Sequence, residues 1–195
     1  MSEPGGRPWA ALVGAWMALS VLAWWLPAPW FDWQPERAFA EPWRAWTATF
    51  IHWSEAHLLA NLAAAAVVLA YGWTAPVPAA MALAFFVAWP LTHLGLLLKP
   101  DLLHYGGMSG VLHAGVAIVS LTLIVRAHGG RRAVGAAVML GLVLKLASES
   151  PWGPALQRTP EFDIAVAPLG HLCGAVAGLV CAALGLVATR RQSAA

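Results

Sequence analysis

The chain has 195 residues, 60% of them apolar and 10% charged, with a mean hydropathy of +0.68 and a formal net charge of +2. A soluble domain carries about 25% charged residues, so this composition excludes an ordinary soluble protein and points to one all-α bundle of membrane-spanning helices. The arginines and lysines are few and fall mostly in the breaks between apolar segments, which leaves nucleic-acid binding without support.

Residues 1–8 are a short polar lead. No secretory-type cleavage site follows, so the first apolar segment, 9–26, is expected to persist as a membrane helix closed by Pro27 and Pro29. Residues 28–54 mix Asp32, Glu36, Arg37, Glu41 and Arg44 with Trp30, Trp33, Trp43, Trp46 and Trp53. Tryptophan beside charge suits the membrane–water boundary, and this loop is read as partly helical and interfacial. Apolar runs predict further helices over 55–73, 77–98, 109–125, 133–147 and 168–189. Gly72 and Pro76 mark one turn, residues 99–108 a glycine-containing loop, and Arg126–Arg132 a tight basic turn. Residues 148–167, with three prolines, form the last loop, and Pro168 suits a first helical turn. The whole, 1–195, is read as a single membrane domain. Cys173 and Cys181 lie eight residues apart on the sixth predicted helix, about 12 Å of rise, too far for a disulfide. No cysteine-based metal site is expected.

Loop charges favour both termini on the cytoplasmic side. Six basic residues (Arg7, Arg126, Arg131, Arg132, Arg190 and Arg191) then lie inside, and eight of the nine acids lie outside. In this topology helices two, four and six all begin on the outer side, which brings His57, Ser109 and His171 to one depth. The fourth segment is 17 residues long, about 25 Å, shorter than a hydrocarbon core of roughly 30 Å. Residues 101–108 are therefore expected to dip into the membrane, where irregular backbone is tolerated only if protein encloses it or it lines a watery cavity.

That depth is where chemistry is expected. Ser109 stands in Gly107-Met108-Ser109-Gly110 within a stretch, His104–Gly115, that holds four glycines. A serine hydroxyl is a weak nucleophile without a base. Of the seven histidines, His128 falls in the cytoplasmic turn, His93 reads as a satisfied or interfacial side chain, and His104 as structural. Gly170, Gly174 and Gly178 form a stripe of small residues that would seat helix six against Gly110 and Ala114 of helix four and bring His171 to Ser109. His57 and Asn61, four apart, share a face of helix two. With the Ser109 N–H they would stabilise an oxyanion, helped by the positive end of helix four. Taken singly, Ser109 also reads as a helix cap and His57 with Asn61 as a structural contact.

These residues together resemble the rhomboid intramembrane serine proteases. Three marks carry the likeness, in family order: Trp43-Arg44 followed by the His57…Asn61 pattern, Gly107-Met108-Ser109-Gly110, and His171 with Gly174 and Gly178. The resemblance spans about residues 43–188 and implies a six-transmembrane-helix bundle. It implies Ser109 as nucleophile, His171 as general base, and an oxyanion hole of His57, Asn61 and the Ser109 N–H. No third carboxylate, metal or cofactor is expected. Implied partners are the lipid bilayer and transmembrane protein substrates, admitted sideways past a gate of helix five and residues 148–167 and cut near the outer face. Implied too is a bacterial inner membrane, with the active site open to the periplasm. The small size and the HWSEAHLLAN block are also similar to the rhombosortase branch, whose substrates would end in a Gly-Gly motif, a transmembrane helix and a basic tail.

Two features depart from the family pattern. His113, four residues after Ser109, stands where many relatives have a tyrosine, and it reads either as packing on the catalytic histidine or as a competing base. The acid often found near the inner end of helix two is missing, with Trp73 in that area. Lys145 and Glu149 read as an i,i+4 ion pair. The alternative function is a catalytically inactive rhomboid-like protein that binds transmembrane clients, although the chain keeps both serine and histidine. A transporter would show mid-membrane charge and repeat symmetry, and neither is evident. The sequence carries no signal of oligomeric state.

Overall fold

The computed structural model describes residues 6–75, 77–158, 160 and 163–194, and side chains as far as residue 189. Pro76, the first five residues, residues 159, 161 and 162 of the last loop, and the Arg190 and Arg191 side chains lie outside the described residues. Among the described residues there are six long helices: α1 (Arg7–Leu22), α2 (Glu55–Thr74), α3 (Ala79–Leu94), α4 (Ser109–Arg126), α5 (Gly129–Ser148) and α6 (Pro168–Ala194). Short 3-10 turns, Ala23–Trp25 and Gly95–Leu98, extend α1 and α3. Among the described residues the only strand-like pairings are two isolated bridges.

Among the described residues five helical segments are long and apolar enough to cross a membrane: Arg7–Trp25, Glu55–Thr74, Ala79–Leu98, Ser109–Arg126 and Pro168–Thr189. α5 is not among these. Its 20 residues carry Arg131, Arg132 and Lys145. It also begins earlier than expected. The basic turn is only Ala127-His128, both extended, and Gly129 (φ +57°) starts the helix, so Arg131 and Arg132 sit in its first turn. Two extended residues suffice to reverse the chain, and charge alone did not mark the boundary.

α4 is the hub. It packs against α2, α3, α5 and α6, and most of its apolar residues and its small ones, Gly110, Ala114, Gly115 and Ala117, are buried. Close approach to α6 is a matter of glycine. A Cβ on Gly174 would lie 1.8 Å from the Gly110 carbonyl oxygen, and one on Gly178 would lie 2.4 Å from that of Ala114. α1 is fixed to α2 by the Trp9 Nε1–H donating to the Val68 carbonyl at 3.0 Å. Trp9 and Trp16 pack around Phe85 of α3.

The 28–54 segment is built of single helical turns and 3-10 turns. Trp30 and Trp43 are exposed, as suits an interfacial loop. Trp33 is different: it is fully buried and its backbone pairs with Tyr105 in both directions, at 2.7 and 2.9 Å. Arg44, also buried, donates to the Asp32 carboxylate at 3.1 Å and to the carbonyls of Asp32 and Pro29. Asp32 in turn accepts from His104 Nδ1 at 2.6 Å. This knot ties the 28–54 segment to the loop that precedes α4.

Candidate active site

The loop before α4 ends in a glycine that its geometry demands. Gly107 has φ +109°, a region that L side chains rarely adopt. Its N–H donates to the Ala48 carbonyl at 3.0 Å, and Gly106 lies against the Ile51 carbonyl. Irregular backbone here is thus walled by the 48–51 segment. The chain turns helical at Ser109, whose hydroxyl opens into a cavity of about 640 Å³.

His171, in the first turn of α6, meets it. The Ser109 Oγ–H lies 3.0 Å from His171 Nε2. His171 Nδ1–H, on the opposite edge of the ring, donates to Glu149 Oε2 at 2.8 Å. His113, one turn beyond Ser109, lies flat against the His171 ring, with centroids 4.3 Å apart and planes 13° apart. Its own Nδ1–H donates to the Ser109 carbonyl at 2.7 Å, which fixes the ring as a plate.

His57 and Asn61 line the far wall of the same cavity. Ser54 caps α2 by accepting the His57 N–H at 3.1 Å. The Trp53 N–H points at His57 Nδ1, 3.4 Å away, so the proton of a neutral His57 belongs on Nε2. That nitrogen faces Gly107: a Cβ there would lie 2.5 Å from His57 Nε2 and 3.6 Å from Asn61 Nδ2. One Asn61 N–H donates to the His57 carbonyl at 3.0 Å, and the other remains to serve the cavity. Two donors are therefore aimed at a spot two residues before the serine.

Three further histidines are engaged elsewhere, although His104 also lines the cavity. His93, fully buried, donates from Nδ1 to the Ala45 carbonyl at 2.7 Å, and His104 belongs to the Asp32 knot. His52, in the loop before α2, packs beside His57, and burial pushes it down to about 4. Both cysteines are free. Among the described residues no group of three or more His, Cys, Asp and Glu is arranged to hold a metal ion.

Two residues at the site were not singled out from the sequence. Tyr105 fills the space between Gly110 and Gly170, beneath the serine turn. Glu149 was read only as a partner of Lys145, and that pair is present. Its second oxygen reaches His171, a carboxylate contact that the sequence reading did not expect. The reason lies in the last loop, whose Gln157–Val166 pairing folds it back so that the end of α5 meets the start of α6.

Residues 40–188 match the Rhomboid domain family. No curated protein matches the chain.

Proposed function

Because the chain belongs to the rhomboid family of intramembrane serine proteases, we propose that it hydrolyses peptide bonds of transmembrane segments, with Ser109 as nucleophile and His171 as general base. The observation that carries this reading is the 3.0 Å approach of Ser109 Oγ to His171 Nε2 at the wall of a cavity of about 640 Å³. Ser109 Oγ attacks the scissile carbonyl while its proton passes to His171 Nε2. The tetrahedral oxyanion is held by the Ser109 N–H, His57 Nε2–H and Asn61 Nδ2–H. As the C–N bond breaks, His171 returns the proton to the departing amine. Water then attacks the acyl-enzyme, losing its proton to His171, which returns it to Ser109 Oγ as the ester C–O bond breaks and the carboxyl product leaves.

His113 has the packing role in this scheme. Its stacking and its committed Nδ1–H support a plate that orients the catalytic ring. Substrates pass α5 and the 148–167 loop, which cover the cavity from one side. The protein is an integral membrane protein. We place it in a bacterial inner membrane with both termini cytoplasmic and the cavity open to the periplasm, as the loop charges favour. Among rhomboids the rhombosortase branch fits the short chain, and its substrates would carry a Gly-Gly motif before a transmembrane helix and a basic tail.

Reconstitution in liposomes with two reporters tests this. Each reporter carries a transmembrane helix, one preceded by Gly-Gly and one by Ala-Val. Cleavage of either reporter that is lost in Ser109→Ala supports the protease reading, and preference for Gly-Gly supports the branch. Stable binding of both without cleavage by wild-type protein would favour a client-binding role.

A further inference from the structure

Glu149 sits one residue past α5, as its C-cap. A carboxylate there meets the negative end of the helix dipole, which disfavours it, so something else must hold it ionised. Both of its oxygens are engaged: Oε1 with Lys145 Nζ, and Oε2 with His171 Nδ1 at 2.8 Å. The His171 side chain is only 7% exposed. The carboxylate therefore lies on the edge of the imidazole opposite Ser109 (Nδ1 against Nε2), in line with the proposed proton transfer.

We propose that Glu149 is a positioning residue for His171, extending the Ser109–His171 pair into a serine–histidine–glutamate line. This rests on the reading of Ser109 and His171 given above. A neutral imidazole has one N–H. The bond from Nδ1–H to Glu149 Oε2 holds that proton on Nδ1 and leaves the Nε2 lone pair for the serine. When Nε2 takes the serine proton the ring becomes a cation, and a carboxylate already in contact stabilises it without reorganisation. Lys145 completes the arrangement by keeping Glu149 charged and limiting its rotamers. Burial acts to raise the Glu149 carboxyl, but the hydrogen bond and charge of His171, and then those of Lys145, outweigh it and bring it down to about 2. The ionisable groups that share the cavity with His171 are His113 from α4, Glu149 and Lys145 from α5, and His57, His104, Tyr105, Arg158 and Asp163 from the other segments that line it. Glu149 is the acid in contact with the ring, and Asp163 is bonded to Ser54 at 2.9 Å.

Two substitutions separate charge from geometry. Glu149→Gln keeps an acceptor oxygen and loses the charge; Glu149→Ala loses both. The readouts are the ¹⁵N shifts of the His171 ring in detergent micelles, assigned with His171→Ala, and the rate of fluorophosphonate labelling against pH. Wild type is expected to carry the proton on Nδ1. Glu149→Ala is expected to show mixed tautomers and label about 10- to 100-fold more slowly, short of the roughly 10²- to 10⁴-fold that a general base supplies in full. Glu149→Gln is expected to keep the tautomer while the acid limb of its profile moves about one unit lower, because the imidazolium has lost its counter-charge. Unchanged tautomer and rate in Glu149→Ala, or a wild-type profile in Glu149→Gln, overturns the proposal. The two readings fail separately. A tautomer that depends on Glu149 in a protein that never labels upholds the positioning contact and sinks the nucleophile. Labelling that needs Ser109 and His171 but ignores Glu149 does the reverse.

Discussion

Replacing Gly174 by alanine tests how tightly the site depends on the packing of α6 against α4. The added Cβ would stand 1.8 Å from the Gly110 carbonyl oxygen and 2.7 Å from its carbon. Both are backbone atoms, so no side chain can swing aside. Bringing the nearer contact out to even 3.0 Å requires the helices to part by about 1.2 Å. Gly110 follows Ser109 directly and Gly174 lies one helical turn after His171, so that parting acts directly on a 3.0 Å hydrogen bond. A misplacement of about 1 Å costs on the order of 100-fold in rate, and overpacking costs about 1–3 kcal/mol in stability. We expect Gly174→Ala to fold, to melt at lower temperature, and to label with a fluorophosphonate at least about 100-fold more slowly than wild type. Gly14→Ala in α1 is the control, since nothing lies within 4 Å of the position a Cβ would take there. If Gly174→Ala labels as fast as Gly14→Ala while folded, the reasoning from helix contact to catalytic geometry is wrong.

Truncating Arg44 to alanine removes the guanidinium partner of the fully buried Asp32 carboxylate, which then keeps only His104 and Gln34, and is expected to cost about 3 kcal/mol, the low end for breaking a buried pair, read as a fall in melting temperature in detergent. His57→Ala and Asn61→Ala are each expected to lower kcat by about 10²- to 10³-fold with little change in KM, the signature of a lost oxyanion donor. His113→Phe retains a flat ring against His171 and is expected to keep most activity, whereas His113→Ala loses more; equal and complete loss in both would make His113 the base. The Glu149 carboxyl is depressed from 4.5 to about 2, so its stabilising contribution is fully present above 4.5 and is lost as pH falls toward about 2. Melting temperature across that window should therefore fall more steeply for wild type than for Glu149→Gln.

Much of this arrangement is visible in the sequence because it follows from local rules. Apolar runs locate the helices. Glycines at 170, 174 and 178 announce close contact, and the glycines at 174 and 178 are the ones whose Cβ would strike α4. His57 and Asn61, four apart, share a face by helical geometry alone and end on one wall of the cavity. What was not legible depends on residues far apart in the chain. Trp33 looked like one more interfacial tryptophan, and its burial follows from pairing with Tyr105, 72 residues later. Glu149 paired with Lys145 is a local reading. Its reach to His171 needs the conformation of the loop between them, which no periodicity encodes. The start of α5 was missed because Arg131 and Arg132 read as loop, although both stand in a helical first turn.

The most direct test of the central claim is fluorophosphonate labelling of the purified, detergent-solubilised protein followed by peptide mapping. The account expects one adduct, on Ser109, that disappears in Ser109→Ala and is strongly slowed in His171→Ala. An adduct on another residue, or labelling of wild type that survives His171→Ala at full rate, would contradict the pairing of Ser109 with His171 on which the account stands.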